Sequence, residues 1–148
     1  MTIHAKHAPR LFIAFLMLVV WPMHSWAQAA VGEAETRLTQ GVISDQIAAF
    51  KSGDSERAYS HAAPNVKIVF PTADRFIAMV QTGYTPLYNP DSFVFGRNAL
   101  IGEQIHQELI VTDHAGKQWQ AVYSLQLQGD GSWRITGVKL NPYSGASA

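Results

Sequence analysis

From Glu103 to Leu140 apolar and polar residues alternate, and a period of two restricts such a stretch to strands. Ile105, Gln107, Leu109 and Val111 fall on one side, and His106, Glu108, Ile110 and Thr112 on the other. After a turn at Asp113-His114-Ala115-Gly116 the period resumes with Trp119, Ala121, Tyr123, Leu125 and Leu127. Gly129-Asp130-Gly131 marks a hairpin, and Trp133 and Ile135 open the last strand. Past Gly137 the parity slips to Val138 and Leu140, which predicts a β-bulge and hence a bent sheet. A short strand over Ser92–Gly96 precedes these three.

The half before this meander follows a different rule. Leu38, Val42, Ile43, Ile47, Ala49 and Phe50 gather on one side at 100° per residue, which predicts a helix over about Glu33–Ser52. Gly53 suits its C-terminal cap, and Asp54 caps a second helix from Ser55 to Ala62 that stops before Pro64. Asn65–Phe70 fits either a strand or a helical turn, with the turn preferred. Thr72 caps a further helix with Phe76, Ile77, Met79 and Val80 buried and Gly83 as its stop. Between Gly83 and Pro90 two prolines predict an extended connector carrying Tyr84 and Tyr88. Helices followed by a meander define an α+β domain, with the helices packed into the hollow of a strongly curved antiparallel sheet.

Composition narrows the setting. With 11 basic and 11 acidic residues the chain carries no net charge, which argues against nucleic acid as a partner. The content of 47% hydrophobic and 15% charged residues is that of a folded domain. Cysteine is absent, and with it disulfides, thiolate chemistry, cysteine-held metals and a lipid-modified cysteine anchor.

Residues 1–27 contain Lys6 and Arg10 and no acid, then an apolar run from Leu11 to Trp21, Pro22, and small residues at Ser25 and Ala27. Basic start, short apolar run and small-residue cut define a secretory signal peptide. The run is about half of what a spanning helix requires, so no membrane partner is expected after cleavage. Arg10 stands alone, which favours the general secretory route to the periplasm or the exterior. A cut after Ala27, with Ala29 as an alternative, leaves 121 residues with 9 basic and 11 acidic side chains. The expected domain then spans residues 28–143, with 144–148 as a frayed tail.

Four segments carry a family resemblance: ISDQIAAFKSGD, APNVKIVF, GYTPLYNP and GSWRITGVKL. Together they resemble the bacterial domain-of-unknown-function 4864 family, over roughly Val42 to Pro142. Its members are similar to the cone-shaped α+β domains of the nuclear-transport-factor-2-like superfamily. The resemblance implies helices closing one side of a bent sheet around a conical cavity. It implies no activity, because that superfamily contains isomerases, dehydratases, cyclases, transport factors and scaffolds.

Ketosteroid isomerases of that superfamily use an aspartate base and a tyrosine–carboxylic acid oxyanion hole in an apolar cone. On the inward face here the polar groups are Gln107, Tyr123 and the indoles of Trp119 and Trp133. Glu103 shares the parity only at the strand's start, so the isomerase pattern is not met. Gln107, Trp119 and Tyr123, with Tyr84 and Tyr88, are the candidate ligand-binding residues. Gln107 and Tyr123 serve equally as a satisfied pair in a packed core. Tyr84 and Tyr88 either gate the cavity or pack it shut. Glu103, Asp74 and His61 are the candidate acid–base groups, although Asp74 also suits the first turn of a helix. His106 and Glu108 alternate on the outward face without further ligands, so neither a metal nor another cofactor is expected. Gln118, Gln120, Val122, Ser124, Gln126 and Gln128 form an uncharged outward face suited to a homodimer. The functional expectation is a non-catalytic exported domain that binds a small apolar ligand or a protein partner. The alternatives are an isomerase- or hydratase-like enzyme and a structural module with a filled core.

Overall fold

Helix α1 (Glu33–Ser52) presents Ile43, Ile47 and Phe50 at helical spacing, and all three are buried. Gly53 ends it at φ +71, a left-handed position where its N–H reaches the carbonyls of Ala49 and Phe50. Thr39 and Gln46 are buried on the same face, while Leu38, expected inward, is 58% exposed. The stripe is rotated so that Thr39 rather than Leu38 continues the line from Ile43. The computed structural model describes residues 29–145; the leader expected over 1–27 and the last three residues of the tail lie outside them.

Asp54 caps α2 (Ser55–Ser60) by accepting from the Arg57 N–H at 3.1 Å. The ambiguous segment is helix α3 (Pro64–Val69), started by a proline whose missing N–H is not required there. Thr72 caps α4 (Ala73–Gly83) in the same way as Asp54, accepting from the Arg75 N–H at 3.3 Å. The connector differs from expectation, because Thr85–Tyr88 forms the single turn α5. Pro86 stands in its first turn, where proline is tolerated, and Pro90 falls after its end. Among the described residues no helix is long and apolar enough to cross a membrane.

Four strands, β1 (Ser92–Ile101), β2 (Gln104–Thr112), β3 (Gln118–Leu127) and β4 (Trp133–Pro142), pair antiparallel in sequence order. β1 is twice as long as its alternation suggests, because a bulge breaks the period. Phe95 faces Leu109 and Asn98 faces Gln107, so Gly96 and Arg97 together oppose Glu108. β4 has its own bulge: Gly137 faces Ser124 and Ile135 faces Leu125, leaving Thr136 extra beside the expected glycine. The two bulges lie on the two edge strands, on either side of the row Asn98–Gln107–Tyr123–Val138. A sheet bulged at both edges bends toward its concave face, where the helices pack.

Two apolar clusters result. One joins Ile43, Ile47 and Leu87 to Leu109, Val111, Ala121, Tyr123, Leu125 and Ile135 of the sheet. The other is helical and contains Ala49, Phe50, Ala58, Phe76, Ile77 and Val80. Leu127, expected inward, is 52% exposed at the end of β3.

Candidate functional site

Between the two clusters lies a cavity of about 400 Å³. Tyr123, Ile135 and Val138 contribute the sheet side, together with the bulge residues Thr136 and Gly137. Gln46 and Phe50 of α1, Phe76, Met79 and Val80 of α4, and then Tyr84 and Leu87, form the helical side. α3 closes the remaining side with Val66, Val69 and the following Phe70. No carboxylate, histidine, lysine or arginine is part of this wall. The volume falls within the range of small-molecule sites.

The wall also holds polar side chains; Asn65 and Thr136 are exposed or half-buried, whereas Tyr123 and Gln46 are buried. Tyr123 is 1% exposed, and it lines the cavity. Burial pushes its phenol pKa far above the ordinary value, so it keeps its proton. Gln46 is 3% exposed; its Nε2 donates to the Ala58 carbonyl at 3.1 Å. That bond fixes the amide orientation and turns Oε1 to the cavity side. Tyr84, by contrast, donates its hydroxyl to the Val138 carbonyl at 3.2 Å, bridging helix and sheet across the rim.

Of the five expected ligand-binding residues, Tyr123 and Tyr84 reach the cavity. Tyr88 packs behind it, its ring 5.8 Å from that of Phe50. Gln107 neighbours Tyr123 but turns to the bulge of β1. Its Nε2 donates to the carbonyls of Gly96, Arg97 and Glu108 at 3.2, 3.3 and 2.9 Å, and its Oε1 accepts from Gln40 at 3.2 Å. Trp119 lies two rows away; its indole donates to Asp113 at 3.0 Å, and Lys117 sits 4.1 Å above its ring.

The three acid–base candidates are not brought together. Glu103 is exposed in the β1–β2 turn, with the Gln126 amide 3.4 Å away, and Asp74 is exposed in the first turn of α4. His61 meets a different carboxylate: its Nε2 is 2.6 Å from Asp45 Oδ2. Arg57 binds both oxygens of Asp45, and its hydrogen bonding, with that of His61, holds the Asp45 pKa down to about 2. This cluster borders a separate groove of about 420 Å³ between Leu38, Val42 and Trp133. There Arg134 is already engaged, donating to the Ser60 carbonyl at 2.5 Å and the Ser132 hydroxyl at 3.2 Å. Among the described residues no three of His, Asp and Glu are grouped to hold a metal.

Sequence inspection missed Gln46, Phe76, Met79, Val80 and the α3 side of the wall. Gln46 had a signal: it is an amide set among Ile43, Ile47 and Phe50 on the apolar stripe of α1.

Among the solved structures that share this architecture are two NTF2-like proteins of unknown function. The one from Silicibacter pomeroyi DSS-3 is 15% identical, with a TM-score of 0.52, matching 76% of this chain and all of its own. The one from Shewanella baltica OS155 is 10% identical, with a TM-score of 0.54, matching 79% of this chain and all of its own. At these identities the likeness concerns the fold alone, and the fold is NTF2-like. No curated protein matches the chain. The family model described as "Domain of unknown function (DUF4864)" matches residues 33–148, and the chain belongs to that family.

Proposed function

We propose that this is an exported, non-catalytic domain that binds a small apolar ligand in the cavity between its helical and sheet clusters. The observation that carries the proposal is the wall itself: about 400 Å³ lined mainly by apolar side chains, with no carboxylate, imidazole, ammonium or guanidinium on it. An isomerase or hydratase of the pocket type requires a base within hydrogen-bond reach of the bound molecule. The phenols of this wall stay protonated or tied to a carbonyl, and Glu103, Asp74 and His61 are not part of it. A wholly filled core is also a poorer description than a cavity of this volume.

Export rests on residues 1–27, whose basic start, apolar run and Ser25-Trp26-Ala27 match a secretory leader. A second copy of the chain is the partner we propose for the outer sheet face. Native mass spectrometry of the protein purified from its host is expected to show an additional small-molecule mass, released by organic solvent. Protein that carries no such mass, and does not take up an apolar fluorescent probe, removes the ligand-binding proposal.

A further inference from the structure

We propose that the cavity selects a neutral molecule with one hydroxyl group on an apolar body, seated with that hydroxyl on Tyr123 and Gln46. The inference rests on the cavity being a ligand site and adds the chemistry of the ligand.

The two side chains offer complementary functions. Gln46 Oε1 is an amide carbonyl oxygen and can only accept, and the bond from its nitrogen to the Ala58 carbonyl sets which way the amide faces. The Tyr123 hydroxyl both donates and accepts. Both side chains are more than nine-tenths buried, and both line the same cavity, from which their oxygens are reached. A molecule that fills the cavity shuts water away from both oxygens, and a polar group buried without a partner is costly, so a ligand that supplies one gains over a ligand that does not. A hydroxyl can donate to Gln46 and accept from Tyr123, thereby addressing both. A ketone or ether oxygen can satisfy Tyr123 alone, and an alkane neither.

The rest of the wall sets the charge. A carboxylate or ammonium head would enter a site with no opposite charge to meet it, and such a transfer is strongly unfavourable. Because burial holds the phenol in its protonated form, Tyr123 supplies no counter-charge for a cation.

The test is a series of eight-carbon probes competing against an apolar fluorescent dye on the full mature chain. It comprises octan-1-ol, octan-2-one, octane, octanoate and octylammonium. The expected order is alcohol, then ketone, then alkane, each step about three- to tenfold, which is the scale of one net hydrogen bond. Both ions are expected at least about 100-fold weaker than the alcohol. In Tyr123→Phe, the ketone is expected to fall to the level of the alkane while alkane affinity stays within about twofold. Gln46→Met is expected to remove only the gap between alcohol and ketone. The ligand series on the unaltered chain stands whether or not either variant folds.

Equal affinity for octane and octan-1-ol, or octanoate binding as tightly as octan-1-ol, overturns the inference and leaves cavity binding intact. Failure of every probe to displace the dye, or of the dye to bind, overturns cavity binding and this inference with it.

Discussion

Gln107 is a side chain whose work is done within the sheet. A bulge leaves two residues opposite one, and the carbonyls of Gly96 and Arg97 lose their regular ladder partners there. The Gln107 amide donates to both. Gln107→Leu would remove these part-buried bonds, and we expect it to lower stability by about 1–2 kcal/mol in urea denaturation, with dye binding in the cavity retained. Asp45 acts through charge instead. Its carboxyl titrates at about 2 when folded, against an ordinary 3.8, so its ionised form stabilises the fold above about pH 4. That contribution fades as the pH falls from about 4 to about 2. Its side chain is about a third exposed, so solvent screening reduces the effect to about 1 kcal/mol. The gap between the urea midpoints of the unaltered chain and Asp45→Asn should be full at pH 7 and close near pH 2.

At the scale of elements, α3 stands apart from its neighbours. None of its residues is buried, and Ile68 and Val69 are 80% and 66% exposed, yet Val66 and Val69 face the cavity. It is tied at its start by Asn65 donating to the Thr136 carbonyl at 2.9 Å. The segment after it is held where Tyr59 donates to the Phe70 carbonyl at 2.6 Å. A helix held by its ends opens more readily than one packed along its length. Hydrogen exchange is expected to show the amides of Val66–Phe70 exchanging at least about 100-fold faster than those of Ile43–Phe50, and slowing when a ligand fills the cavity. These elements were unevenly legible in the sequence. The 3.6-residue stripe of α1 and the strict alternation of β3 report their own partners, because the period of each is unbroken over its buried part. β1 was half hidden, since the bulge at Gly96–Arg97 inverts the parity on which its detection depends. In β4 a glycine stood beside the same kind of slip and made it readable. The turn at Thr85–Tyr88 was hidden for another reason: two prolines exclude a long helix but permit one turn.

For the whole molecule, the outer face of the sheet is the open question of assembly. Val94 is 63% exposed, and Ile110 and Val122 lie partly exposed beside the uncharged Gln118, Gln120 and Gln126. Light scattering of residues 28–148 at high concentration is expected to give twice the mass of those 121 residues, and Val122→Lys to give the monomer. A monomer without the substitution removes the dimer. The candidate site was less legible than the fold because five separate segments converge on it, and no local period records which of them meet. Tyr123 was visible as a polar group on an inward face; Met79 and Val80 could only be read as core. The cavity is also a seam: Phe50, Phe76 and Val80 on its helical side belong to one apolar cluster, and Tyr123, Leu87 and Ile135 to the other. A molecule filling it would complete the interior as well as being carried there. Occupancy and folding would then be one equilibrium, and the chain would report the concentration of its ligand through its own resistance to heat.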